Sequence, residues 1–220
     1  VLETIFVPRG AEERAVRSAL GSGSSIRVVP TGIGPRAAAR AADLSLADGH
    51  FGSALVTGLC GTLSASFVVG DALIYSEIVA PGRSAIVLDR DLATGLARLV
   101  PGSQTGVRAL ASDTIVERAI DKRMLGVRHG ADAVDMESYA VAQRLGGAGV
   151  SVAVVRVVSD AAGDDLPELG RALNGSGGMD DTALALAFVR SPLASARLIA
   201  NAMASLRALR AAIGALVAQR

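Results

Sequence analysis

Three stretches of this chain hold residues of the type and spacing that chemistry requires. In residues 133–142 an apolar run delivers Asp135-Met136-Glu137 to the start of a helical pattern. Two carboxylates and a soft thioether then share one strand end. Carboxylates accept hydrogen bonds from paired hydroxyls such as those of a sugar, and a methionine lies well against a sugar ring. The plain alternative is helix capping, since an acid in a first turn is favoured by the helix dipole. In residues 154–162 a nearly all-apolar strand ends in Ser159-Asp160. Desolvation at a buried strand end would raise the pKa of Asp160 and let it donate a proton near neutrality. An Asx turn or N-cap is its plain alternative. The third stretch, Val-Thr-Gly-Leu-Cys-Gly-Thr-Leu at residues 56–63, carries Gly58 and Gly61. Without a Cβ, these positions let backbone approach a ligand and present amide donors; with no ligand they make a tight turn. Cys60 between them reads as a small core residue and not as a nucleophile.

These residues need elements that bring them together. Residues 4–8, 26–30, 53–57, 72–80, 84–88, 107–111, 131–135 and 150–158 read as strands. Residues 12–20, 36–48, 91–99, 115–123 and 136–145 read as helices. The alternation predicts one α/β domain over residues 1–220, with a central mixed β-sheet flanked by helices on both faces. All three motifs fall at carboxyl ends of strands, where open α/β sheets bind ligands. Residues 161–181 hold Gly163, Pro167, Gly170, Gly175, Gly177 and Gly178, and read as a long loop of the kind that is a functional lid or disordered. From about residue 193 a C-terminal helix repeats Ala194, Leu198, Ala202, Leu206, Leu209, Ile213 and Leu216 at helical spacing.

Composition narrows the classes. The chain has 220 residues and half are hydrophobic, enough for a sizeable core. Lys and Arg number 22 against 21 Asp and Glu, so charge gives no case for nucleic acid, and 3% aromatics give no stacking platform. One cysteine excludes an intrachain disulfide and fits a cytoplasmic setting. With two histidines, His50 and His129, both read as loop residues, no metal site is expected. No cofactor is expected either. Residues 182–220 contain no acid, while Arg190, Arg197, Arg207, Arg210 and Arg220 are basic. Such a helix suits peripheral contact with an anionic membrane. The favoured reading packs its apolar stripe on the sheet or a second subunit and leaves the arginines solvated.

Taken together, Thr31-Gly32-Ile33-Gly34-Pro35, Thr57-Gly58-Leu59-Cys60-Gly61, Val69-Gly70-Asp71, Asp135-Met136-Glu137-Ser138 and Arg156-Val157-Val158-Ser159-Asp160 resemble the purine nucleoside phosphorylase and methylthioadenosine nucleosidase superfamily. The resemblance runs from about residue 4 to 162. The tail is most similar to the hopanoid-associated phosphorylase branch, through Asp165-Leu166-Pro167, Ala172-Leu173, a Gly-rich turn and an apolar helix to Arg190-Ser191-Pro192. This implies a nucleoside phosphorylase-like fold, a small-molecule nucleoside substrate and a homo-oligomer. It implies cleavage of a purine N-glycosidic bond with release of adenine, from adenosylhopane in the narrower match, by water or by inorganic phosphate as co-substrate. The alternatives are a methylthioadenosine/adenosylhomocysteine nucleosidase and a non-catalytic nucleoside-binding module.

By the same resemblance Asp160 hydrogen-bonds or protonates purine N7, Glu137 accepts from ribose hydroxyls, and Met136 packs on the ribose. An early acid orients the attacking water; Glu12 and Glu13 both qualify, and Glu12 is preferred. Asp135, Gly58, Leu59, Cys60, Gly61, Ile115, Val116 and Ser159 complete the expected substrate contacts. The chain also departs from the pattern. Leu59 and Val56 stand where the phosphorylases carry a phosphate-binding Ser and Arg, which leaves Arg9 or Arg36 as replacements. Ile115 and Val116 are aliphatic where an aromatic commonly stacks on the base, and Asp135 replaces a Glu.

Overall fold

Alternating Val-rich and Ala-rich segments fold, in the computed structural model, into eight strands and seven helices; residues 2–174 and 177–218 are described. Gly175 of the expected loop and Arg220 of the basic tail lie outside them. The strands are β1 (Thr4–Pro8), β2 (Arg27–Thr31), β3 (Ser53–Thr62), β4 (Ala72–Val79), β5 (Ile86–Val87), β6 (Gln104–Ala111), β7 (Ala133–Asp135) and β8 (Ser151–Asp160). The helices are α1 (Ala11–Leu20), α2 (Pro35–Ala47), α3 (Arg90–Leu99), α4 (Ala119–His129), α5 (Ser138–Gly147), α6 (Asp181–Arg190) and α7 (Pro192–Val217).

The sheet is mixed, as the alternation predicts. β3 runs parallel to β1 and β8, then its last residues turn antiparallel to β7. β7, β6 and β4 follow in parallel, and β4 returns antiparallel to β8. The pairings β3–β7–β6–β4–β8 therefore close on themselves, and β1, β2 and β5 stand outside the ring. Between Cys60 and Gly61 the register to β8 slips by a residue, which leaves Ser159 bulged. Bulges re-aim side chains beside sites.

Side chains alternate between two cores. Phe6, Val56, Val154 and Val158 pack with Tyr139, Val141 and Leu145 of α5 on one side. On the other, Ile5, Val7, Leu55 and Val155 pack with Val16 of α1, Leu96 of α3, and Leu209, Ile213 and Leu216 of α7. The period of two along each strand feeds both. The tail's apolar stripe is thus seated on the sheet, and Ser205 Oγ donates to the Val158 carbonyl at 2.7 Å. Arg197 is exposed, as expected, but it is also anchored. It donates to the Asp165 carbonyl at 2.8 Å and pairs with Asp164 at 3.5 Å. Among the described residues no single helix is long and apolar enough to cross a membrane.

Several boundaries move for local reasons. The expected helix over 115–123 begins at Ala119 instead, because Asp165 Oδ1 caps the Ala119 N–H at 2.8 Å and the Glu117 carbonyl is taken by Leu166 N–H at 2.8 Å. Residues 115–118 stay extended. The expected helix over 136–145 begins at Ser138, because Asp135 Oδ1 accepts the N–H groups of Glu137 at 2.9 Å and Ser138 at 2.7 Å. Met136 and Glu137 are held outside it. The expected turn at 58–61 is strand, since β3 continues to Thr62. His129 closes α4 and is not a loop residue. The long loop is tied down where it is described. Ile33 N–H donates to the Gly177 carbonyl at 2.8 Å, and Gly170 N–H to Glu117 Oε1 at 2.6 Å.

Leu209 is fully buried between α7 and the sheet. Leu209→Ala is expected to cost about 2–5 kcal/mol, seen as a lower urea midpoint with an unchanged far-ultraviolet helix signal.

Candidate active site

The carboxyl ends of β1, β3, β7 and β8 open on a cleft of about 220 Å³. Glu12, Leu59, Cys60, Gly61, Ile115, Val116, Asp135, Met136, Glu137, Ser159 and Asp160 all line it. Of the residues expected from sequence, Gly58 alone does not. It lies behind the wall, with φ of +138°, and a Cβ there would meet Glu12 Oε1 at 2.6 Å and Arg156 Nη1 at 2.7 Å. Glycine is required so that these two side chains can cross the strand.

Glu12 sits in the first turn of α1, reached from β1 through Gly10 at φ 111°. Its Oε1 accepts the Leu59 N–H at 2.6 Å. The residue keeps some exposure toward the open cleft, but its carboxyl is enclosed by protein. That burial pushes its pKa up to about 7, against the opposing pull of the Leu59 N–H and the Arg156 charge. Glu13 points elsewhere and pairs with Arg17 at 2.8 Å near the surface. Between the two candidate acids, only Glu12 reaches the cleft.

Arg156 was not among the expected site residues, and it organises the rest. It is fully buried in the middle of β8. Nη2 donates to Ser138 Oγ at 3.0 Å, Asp135 Oδ1 at 3.2 Å and Glu137 Oε2 at 3.3 Å; Nη1 donates to the Leu59 carbonyl at 3.2 Å. Burial works against its charge, but the adjacent Asp135 and Glu137 outweigh that and hold it above its usual range. Asp135 consequently spends its Oδ1 on the α5 start and on Arg156. It lines the cleft, while its Oδ1 bonds run into the protein.

Glu137 Oε1 accepts the Gly34 N–H at 2.9 Å, from the turn that opens α2. Burial raises its pKa, Arg156 pulls it down, and Asp135 pushes it up again. Met136 Cε comes within 3.5 Å of where a Gly34 Cβ would be. The Gly32–Gly34 turn therefore supports both residues.

Asp160 is buried, as expected, but it is not a lone acid. Its Oδ2 accepts from Lys122 Nζ of α4 at 2.5 Å, and its Oδ1 from Ser159 Oγ at 2.9 Å. A Cβ on Gly61 would lie 2.8 Å from Asp160 Oδ2, so this glycine makes room for the carboxylate. Lys122 carried no signal in sequence. Arg156 did, since an arginine inside a five-residue stretch that is otherwise valine must find carboxylates or carbonyls once the strand is buried.

Burial pushes the Cys60 thiol pKa well up, which leaves it unreactive. Arg9 and Arg36 do not line the cleft, and Val56 is packed in the core. Among the described residues no Lys or Arg lines the cleft. Among the described residues no group of three or more His, Cys, Asp or Glu is arranged to hold a metal ion. A second cavity of about 490 Å³ adjoins the cleft and shares Ile33 and Met136 with it.

A ring-closed mixed sheet with four acids on one cleft fits a nucleoside phosphorylase and nucleosidase type of enzyme. The chain belongs to the phosphorylase superfamily, whose sequence profile matches residues 2–185. Known structures share the fold. One is a Helicobacter pylori methylthioadenosine nucleosidase variant with 5′-methylthioadenosine in its active site, at TM-score 0.70 and 18% identity, covering 96% of this chain and 97% of that one. Another is the S. pneumoniae 5′-methylthioadenosine/S-adenosylhomocysteine nucleosidase, at 0.71 and 16%, covering 98% and 100%. A third is the H. pylori futalosine hydrolase, at 0.70 and 16%, covering 96% and 97%. No curated protein matches the chain.

The raised Glu12 pKa has a consequence for stability. Below about pH 4.5 the group is protonated folded and unfolded alike. As pH rises to about 7 the unfolded chain ionises first, and stability falls. Glu12→Gln removes that loss, so its urea midpoint should exceed that of the wild type at pH 8 and approach it at pH 4.

Proposed function

We propose that the protein is a purine nucleosidase that hydrolyses the N-glycosidic bond of an adenosyl compound and releases adenine. The observation that carries this reading is Glu12, a buried carboxyl poised near neutrality inside a cleft that it shares with Glu137 and Asp160. Water held by Glu12 attacks the anomeric carbon and gives its proton to that carboxylate. The carbon–nitrogen bond breaks and its electron pair leaves with the purine; Asp160, protonated when substrate is bound, gives its proton to N7 and ends as the carboxylate that Lys122 and Ser159 hold. Glu137 holds the ribose hydroxyls, Met136 packs on the ribose, and Ile115 and Val116 supply an apolar wall for the base. A base and an acid placed in this way each contribute about 10²–10⁴-fold in rate.

The cleft favours water over phosphate, because the positions that bind phosphate in phosphorylases are the apolar Leu59 and Val56. Beyond Met136 the second cavity leaves room for a substituent on the ribose 5′ carbon. Methylthioadenosine and adenosylhomocysteine carry such groups, and so does adenosylhopane, which the tail resemblance favours. Retention of an acid at the leaving group argues against a module that only binds nucleosides.

The test is adenine release from adenosine, methylthioadenosine and adenosylhopane, each with and without phosphate. Phosphate-independent release from at least one is expected. Release that requires phosphate would replace hydrolysis with phosphorolysis, and no release would overturn the reading. For hydrolysis, kcat/KM should rise as pH passes through about 7, where Glu12 ionises. That acidic limb should vanish with Glu12→Gln.

A further inference from the structure

We propose that Lys122 is the positioning residue for the leaving-group acid: one buried ammonium fixes the Asp160 carboxylate and clamps the start of the 161–174 loop. This rests on the role of Asp160 proposed above.

Lys122 lies in the first turns of α4 and is 0% exposed. A lysine is almost never so buried unless it is paired. An ammonium has three donors, and here it meets three acceptors: Asp160 Oδ2 at 2.5 Å, the Ala161 carbonyl at 3.0 Å and the Asp164 carbonyl at 3.1 Å. No donor is wasted. Ser159 holds the other carboxylate oxygen of Asp160, so both oxygens are fixed and the group cannot rotate. The face left to Asp160 is the one toward the cleft.

Stability does not explain this arrangement. A buried ion pair is commonly neutral or inferior to well-packed apolar residues. What the pair does supply is geometry. Directly after the Asp164 carbonyl that Lys122 holds, Asp165 Oδ1 accepts the Ala119 N–H at the start of α4 and the Leu166 N–H donates to the Glu117 carbonyl, which ties residues 115–118 to this stretch. Leu166, Ile115 and Val116 are walls of the cleft. One cation therefore sets the acid and the apolar wall facing it.

Small misplacement of a catalytic group is costly, up to about 10²-fold for roughly 1 Å. Lys122→Met is expected to lower kcat for adenine release by about that factor with KM changed less than about 3-fold. In an Asp160→Asn background the same substitution should add almost nothing, because residues that act as a unit are not additive. Lys122→Gln, which keeps a donor, serves as the second variant if Met does not fold, and urea midpoints are read for all. Independently of turnover, the nitrogen-15 signal of the Lys122 ammonium should exchange slowly in the wild type and be lost in Asp160→Asn. Additive losses in the double variant, or a lowered midpoint with kcat intact, would make Lys122 merely structural and overturn the proposal. An absent ammonium signal in an active wild type would overturn the ion pair itself. Wild type with the signal but without adenine release would overturn the reaction reading, and the positioning role with it, while the ion pair stands.

Discussion

The acid wall formed by Glu12, Asp135 and Glu137 depends on one buried guanidinium. Arg156 sits in the buried middle of a strand, flanked by two valines on each side, where an unpaired charge would be prohibitive. It is tolerated because its planar fork finds Asp135, Glu137, Ser138 and the Leu59 carbonyl at once. The bargain is mutual. Glu12, Asp135 and Glu137 repel one another, and Arg156 is the cation that allows them to approach. Glu12 keeps hold of its proton up to about neutrality chiefly because its carboxyl is buried; the Leu59 N–H and Arg156 pull the other way, and Glu137 and Asp135 add a smaller push upward.

Backbone conformations follow from the same cluster. Asp135 ends β7 and, by taking two N–H groups, delays the start of α5 to Ser138. Glu137 stays free of the helix and swings to the Gly34 N–H. On the other side, Gly58 has no Cβ because Glu12 and Arg156 meet where it would be. The bulge at Ser159 brings its hydroxyl onto Asp160.

Much of this was legible in the sequence, and the reasons differ by residue. β8 was visible because valines bury on both faces of an interior strand. Asp135, Glu137 and Asp160 were visible because acids at the ends of apolar runs are unusual enough to need an explanation. Ile115 and Val116 were located, but with the wrong conformation: their helical pattern yields to capping by Asp165, which lies fifty residues away. Lys122 was invisible for a related reason. A lysine in a helix normally reads as a solvated face, and its true partner is set by how α4 docks over β8. Arg156 was quoted as part of a motif without its role. Its four valine neighbours, two on each side, were sufficient to demand a partner, but not to say which one.

The hydrogen bond from the Leu59 amide to Glu12 has a meaning beyond placement of a base. An amide donor at this point of the fold is an anion receptor, and here the anion is supplied by the chain itself. A tethered carboxylate is present at an effective concentration far above that of any dissolved anion. A free phosphate entering the cleft would have to evict this internal occupant and would gain no arginine in exchange. Seen in that way, choice of nucleophile is a competition between two anions for one receptor. On the hydrolytic reading proposed above, one of the competitors is covalently attached to the chain.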